Sequence, residues 1–126
     1  MFRIIPQITI SDMQSSLNFY VDILGFEVTA SDPEENPHFV TIEREDTSIF
    51  LVTDESREDT KKLALDTNVR GVGVRFYFEV DDASELHARL SHLGINGLGD
   101  LEYNALEDYC EFNLQDPDGY ELGFYS

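Results

Sequence analysis

The sequence predicts an α+β fold built from two tandem βαβββ modules. Two observations predict it. The first is a change of apolar period: strand-like alternation gives way to a helical stripe, alternation returns, and the whole cycle runs twice. The second is internal self-similarity. A shift of 70 residues lays Ile8, Ile10 and Asp12 over Phe78, Val80 and Asp82, and a shift of 69 lays Leu17, Leu24 and Gly25 over Leu86, Leu93 and Gly94. One residue is lost at the strand-to-helix turn. A repeat at nearly constant spacing marks duplicated structural units.

The first module spans residues 3–53. Ile4 to Ile10 alternates, with Ile4, Pro6, Ile8 and Ile10 on one face and Ile5, Gln7 and Thr9 on the other, so it reads as a half-buried strand. Ser11 or Asp12 caps a helix, with Gln14 three residues after Ser11 in a capping-box pattern. Met13, Leu17, Tyr20, Val21 and Leu24 form its apolar stripe, and Gly25 ends it. Phe26 to Ala30 is a second strand and residues 31–37 a loop. Phe39 to Arg44 and Ser48 to Val52 are strands joined by the turn Glu45-Asp46-Thr47.

Residues 54–71 read as a connector, polar at first, with one short helix around Glu58 to Leu65. The second module, 72–126, repeats the order. Val74 to Val80 alternates. Asp82 caps a helix with Glu85 at its third position; Leu86, Leu90 and Leu93 form the buried stripe, and Gly94 ends it. Strands follow near Gly97 to Gly99, at Tyr109 to Leu114 and at Tyr120 to Tyr125, the last entered through the turn Asp116-Pro117-Asp118-Gly119.

At 126 residues and 41% hydrophobic content the two modules make one domain with a real core. The net charge of −18 repels nucleic acid and anionic membrane surfaces, which excludes both as expected partners. Three readings of the acidity remain open: a solubility feature of a salt-adapted (halophilic) host, a pocket that attracts a cation, and neutral drift. Lys61 and Lys62 are the only lysines. A single cysteine, Cys110, and the lack of a signal-like or membrane-spanning apolar run point to a cytoplasmic protein. Cys110 falls on the helix-packed strand face, where an inert thiol is expected. His87 and His92, five apart on a helix, do not share a face and read as surface positions; His38 sits at a loop edge.

Three stretches carry a family resemblance. IPQITISDMQSSLNFYVDILGFEV, FYFEVDDASELHARLSHLG and DPDGYEL resemble the opening, the second-half counterpart and the closing turn of the vicinal oxygen chelate superfamily. That superfamily includes glyoxalases, extradiol dioxygenases, and fosfomycin- and bleomycin-resistance proteins. The resemblance covers roughly residues 3–53 and 72–125. It implies a glyoxalase-like fold, in which the modules curl a mixed sheet around a cleft. In the family's enzymes a divalent metal sits there on His, Gln or Glu from the first and last strands of each module. The matching places here are Ile5, Leu51, Arg75 and Gly123, none of them a metal ligand, and Arg75 repels a cation. A slip of two residues keeps the face and leaves Gln7, Glu43 and Glu121 as an alternative, displaced metal set.

Alternation assigns Ile8, Ile10, Val40, Ile42, Phe76, Phe78, Phe112, Leu114, Leu122 and Phe124 to the faces under the helices. The opposite faces line the expected cleft, with Gln7, Thr9, Phe39, Thr41 and Glu43 from the first module. Arg75, Tyr77, Glu79, Tyr109, Glu111, Asn113, Glu121 and Tyr125 come from the second. Aromatic rings among carboxylates suit a cationic or hydrophobic organic ligand. The expectation is therefore a non-catalytic small-molecule-binding homodimer of the bleomycin-resistance type, with no catalytic residue and no cofactor. The alternative is a metal-dependent glyoxalase- or dioxygenase-like enzyme.

Overall fold

A computed structural model describes residues 1–56 and 70–126. The chain divides into two compact units, Met1–Asn68 and Val69–Ser126. The first contains β1 (Gln7–Ile10), α1 (Met13–Leu17, continued by a π-helical turn Asn18–Ile23), β2 (Glu27–Asp32), β3 (Phe39–Arg44) and β4 (Thr47–Thr53). The second contains β5 (Arg75–Glu79), α2 (Ala83–His92), β6 (Glu102–Asn104), β7 (Tyr109–Gln115) and β8 (Glu121–Tyr125). Both run in the order β-α-β-β-β, and each forms a four-stranded mixed sheet, β1-β4-β3-β2 and β5-β8-β7-β6. The first strand of each unit lies parallel to the last; the other pairs are antiparallel. The helix expected at Glu58 to Leu65 lies outside the described residues.

The cores follow from strand alternation. In the first unit Ile8 pairs with Leu51 and Leu51 with Val40, and all three are buried. Ile42 pairs with Ile49 beside them. In the second unit Phe78, Phe124 and Phe112 stand in one row across β5, β8 and β7, each stacked on the next at 5.1 Å. Phe76, Leu122 and Leu114 form the next row. The ten residues assigned to the helix-packed faces therefore lie there.

Several local expectations need correction. β1 begins at Gln7, and Ile4 is exposed rather than part of an alternating strand. Asp12, not Ser11, caps α1: its carboxylate accepts from the Ser15 N–H and hydroxyl, while the Gln14 amide donates to Asn18, so no capping box forms. The π turn changes the helix's buried stripe. Leu24 N–H reaches back five residues to Phe19 O, which advances the helix phase. Phe19 and Tyr20 are then both buried along with Ser16, while Met13, Leu17 and Val21 are only half-buried. Gly25 follows at φ +79, and the Arg44 guanidinium donates to the Leu24 carbonyl.

On α2, Asp82 accepts from Glu85 N–H as expected, and Ala83 N–H donates to the Ser126 hydroxyl. Leu90 is fully buried, but Leu93 is exposed because the helix ends beside it. His87 is not a surface residue: it is half-buried, its Nε2 is 2.8 Å from Gly99 O, and its ring meets Phe112 edge-on. The strand expected at Gly97 to Gly99 shrinks to a single bridge, Leu98 to Leu114; the third strand of the unit is Glu102–Asn104. Among the described residues no helix is long and apolar enough to cross a membrane.

Replacing Leu90 or Leu122 by Ala is expected to destabilise the protein by about 2–5 kcal/mol in urea unfolding, whereas Leu93→Ala stays within about 0.5 kcal/mol. The Ser15 hydroxyl and then its N–H hold the Asp12 carboxyl below its ordinary pKa. A lowered folded-state pKa stabilises at pH values above the ordinary aspartate range, and the contribution is lost as pH falls through the lowered value. The stability difference between wild type and Asp12→Asn should therefore shrink on acidification, read from unfolding curves across the acid range.

Candidate functional site

The residues expected to line the open faces are on them, in two sets. On the first sheet Gln7, Phe50 and Thr41 form one row and Thr9, Val52 and Phe39 the next, with the Phe39 and Phe50 rings 5.2 Å apart. Glu43 pairs with Ser48, whose hydroxyl accepts from the Arg3 guanidinium. On the second sheet the rows are Arg75 with Glu121, then Tyr77 with Gly123 and Asn113, then Glu79 with Tyr125 and Glu111. Glu102 extends the last row beside Glu111.

One expected position is on the wrong face. Leu51 pairs with Ile8 and is fully buried in the core. The first-unit counterpart of Gly123 is Phe50: Gln7 pairs with Phe50 as Tyr77 pairs with Gly123. A one-residue slip in the register turns a strand residue to the opposite face. Ile5 lies before β1 begins. Phe50, Val52 and Glu102 are open-face residues that sequence reasoning missed. The alternation of Ser48, Phe50 and Val52 against Ile49 and Leu51 carried the signal for the first two, since both strand faces there are apolar.

The second sheet has the better-defined geometry. Arg75 Nε and Nη2 donate to Glu121 Oε2 at 3.3 and 3.0 Å, and Nη1 donates to the Tyr77 hydroxyl at 3.0 Å. The Tyr77 hydroxyl, then the hydrogen bond and charge of Glu121, hold the guanidinium's proton more firmly than usual. The Tyr77 ring lies over Gly123. A Cβ placed on Gly123 would be 2.6 Å from that ring, well inside contact distance. Tyr125 meets Tyr77 edge-on at 6.2 Å and Tyr109 at 6.5 Å.

The third row is unusual in charge. Glu79 and Glu111 flank Tyr125 on either side, and Glu102 stands directly across from Glu111. Like charges opposite one another across strands repel. Among the described residues none of these three carboxylates has a cationic partner. In contrast, Cys110 lies half-buried on the helix side of β7, away from this face.

A scan against protein-family models matches residues 4–124 to the Glyoxalase/Bleomycin resistance protein/Dioxygenase superfamily. The chain belongs to that superfamily. No curated protein sequence matches it. Among solved structures, UcmS2 aligns with a TM-score of 0.75 at 21% identity, covering 96% of this chain and 94% of that one. TnmS3, an antibiotic binding protein from Streptomyces sp. CB03234, aligns with a TM-score of 0.67 at 23% identity, covering 95% and 90%. Lactoylglutathione lyase from Agrobacterium tumefaciens aligns at 0.71 with 15% identity, covering 98% and 92%. At these identities the likeness is one of fold.

The superfamily's enzymes imply a metal, and the open-face side chains of this member do not fit one. Of the displaced set, Glu121 is held by Arg75, and Glu43 stands in a row with Ser48, where the Arg3 guanidinium binds. Gln7 and Glu43 are on strands separated by β4 and two residues out of register. At Gly123 the Tyr77 ring fills the space a ligand side chain would need. No group of three His, Cys, Asp or Glu among the described residues is placed to hold a metal ion.

Gly123→Ala is expected to cost about 1–3 kcal/mol through this clash. The same change in a Tyr77→Ala background should cost much less. Additive losses in a double-mutant cycle, read by urea unfolding, would contradict the packing described.

Proposed function

We propose that this superfamily member is a non-catalytic small-molecule-binding protein that works without a metal and takes a cationic, partly hydrophobic organic ligand on the open face of its second unit. The observation that carries the reading is the row Glu79–Tyr125–Glu111–Glu102. Three carboxylates without a cationic partner among the described residues surround a tyrosine that is itself bracketed by Tyr77 and Tyr109. Carboxylates supply ion pairs and tyrosine rings supply cation–π and stacking surface, while like-charge repulsion in the empty row makes cation binding more favourable. The solved antibiotic binding protein of the same fold supports small-molecule capture as a use of this scaffold. The association of two copies expected from the sequence stays part of the reading, and sedimentation at binding-assay concentrations checks it, a single monomeric species counting against it.

Bleomycin, a cationic glycopeptide, serves as the probe. It should raise the melting temperature of the wild type, and Tyr125→Ala or Glu111→Gln should weaken its binding about tenfold in calorimetry. Stoichiometric zinc, nickel, manganese or iron in protein purified without chelator would overturn the metal-free reading. Absence of any bleomycin binding would count against the cationic one.

A further inference from the structure

We infer that the same face carries a second, oppositely charged subsite at Arg75, so that the ligand is a zwitterion whose carboxylate docks there; this rests on the reading above for its cationic end. Arg75 is one of six arginines in a chain with net charge −18, and its side chain is 39% exposed. A guanidinium has five N–H donors. Three are used here: Nε and one on Nη2 by Glu121, and one on Nη1 by the Tyr77 hydroxyl. Arg75 makes no further contact. One N–H therefore remains on each terminal nitrogen, the number that a carboxylate's two oxygens accept.

The surroundings favour the same use. Glu121 and Tyr77 hold the guanidinium in place, so little side-chain freedom is lost when a ligand joins. Beside it lies a pocket of about 400 Å³ lined by Arg70, Gly71, Gly73, Arg75, Gly119 and Glu121, among others. That volume is within the range of small-molecule sites. A Cβ on Gly73 or Gly119 would meet nothing within 4 Å, so these walls leave the pocket clear. Arg70 brings a second guanidinium, next to Asp118.

The two subsites have a fixed spacing. Arg75 and Glu79 are four residues apart on β5, about 13 Å at strand rise, and Tyr77 stands midway with its exposed ring above Gly123. The site is thus matched to a molecule with a cation at one end, a carboxylate about 13 Å away and an aromatic or flat apolar middle.

The tetrapeptide Gly-Phe-Phe-Gly tests this, because its extended length is about 13 Å between ammonium and carboxylate. Its free form, its N-acetyl form and its C-terminal amide are compared by calorimetry. On wild type, amidation should weaken binding about tenfold or more, as loss of a charge-assisted hydrogen-bonded pair does. Arg75→Gln should bind acid and amide alike, and Arg75→Lys, which keeps the charge but not the fork, should show an intermediate preference. Glu111→Gln should instead abolish the preference for the free N-terminus. Equal binding of acid and amide by wild type overturns the carboxylate subsite while leaving the cationic reading standing. If no form of the peptide binds but bleomycin does, the inference alone fails; if neither binds, both fail.

Discussion

In each unit the parallel pairing of the first strand with the last governs everything built around it. That pairing fixes which side chains share a row, and the rows fix which face is apolar. Once Ile8 meets Leu51, and Phe78 meets Phe124, the helix has only one face to cover. The buried rows Ile8–Leu51–Val40 and Phe78–Phe124–Phe112 then supply the apolar burial that holds each sheet together. The open faces inherit their residues as a consequence. Functional side chains on such a face are placed by the packing on the other side of the same strands, within the tolerance of a cross-strand pair.

On the second sheet this leaves a face with its charge sorted by position. One end carries a guanidinium tied down by a carboxylate and a phenol; the other carries carboxylates without a counter-charge among the described residues. Between them a tyrosine ring occupies the space above a glycine. The arrangement has strong directional donors and acceptors and no nucleophile. It is a surface suited to recognition rather than to bond breaking.

The fold was legible because its signals repeat. Two strand-to-helix turns with Asp at the N-cap, two Leu-Gly helix ends and two closing strands point to one architecture, and each supports the other. What was missed has local causes. The π turn changes the helical phase within α1, so a stripe counted at the regular period picks Met13 and Val21 where the core takes Phe19 and Ser16. The short β6 lies only three residues long in a Gly-rich stretch, and a bridge at Leu98 stands where a strand was expected. The open faces were legible wherever polar and apolar residues alternate, as on β5, β7 and β8. They failed on β4, where Ile49, Phe50, Leu51 and Val52 are apolar on both faces and the period vanishes. Contacts such as Arg75 to Glu121, 46 residues apart, leave no mark in the sequence at all.

The stacking of Tyr77 on Gly123 also constrains the history open to this chain. In the first unit the corresponding row holds Gln7 against Phe50; the large residue is on the last strand there and on the first strand here. The two rows solve the same volume problem with their occupants exchanged. A lineage that has settled on this exchange cannot restore a carboxylate at residue 123 in one mutational step, because the ring must shrink first and nothing favours that loss on its own. The glycine acts as a ratchet: the order in which the two positions change decides whether the ancestral chemistry of the scaffold is still reachable.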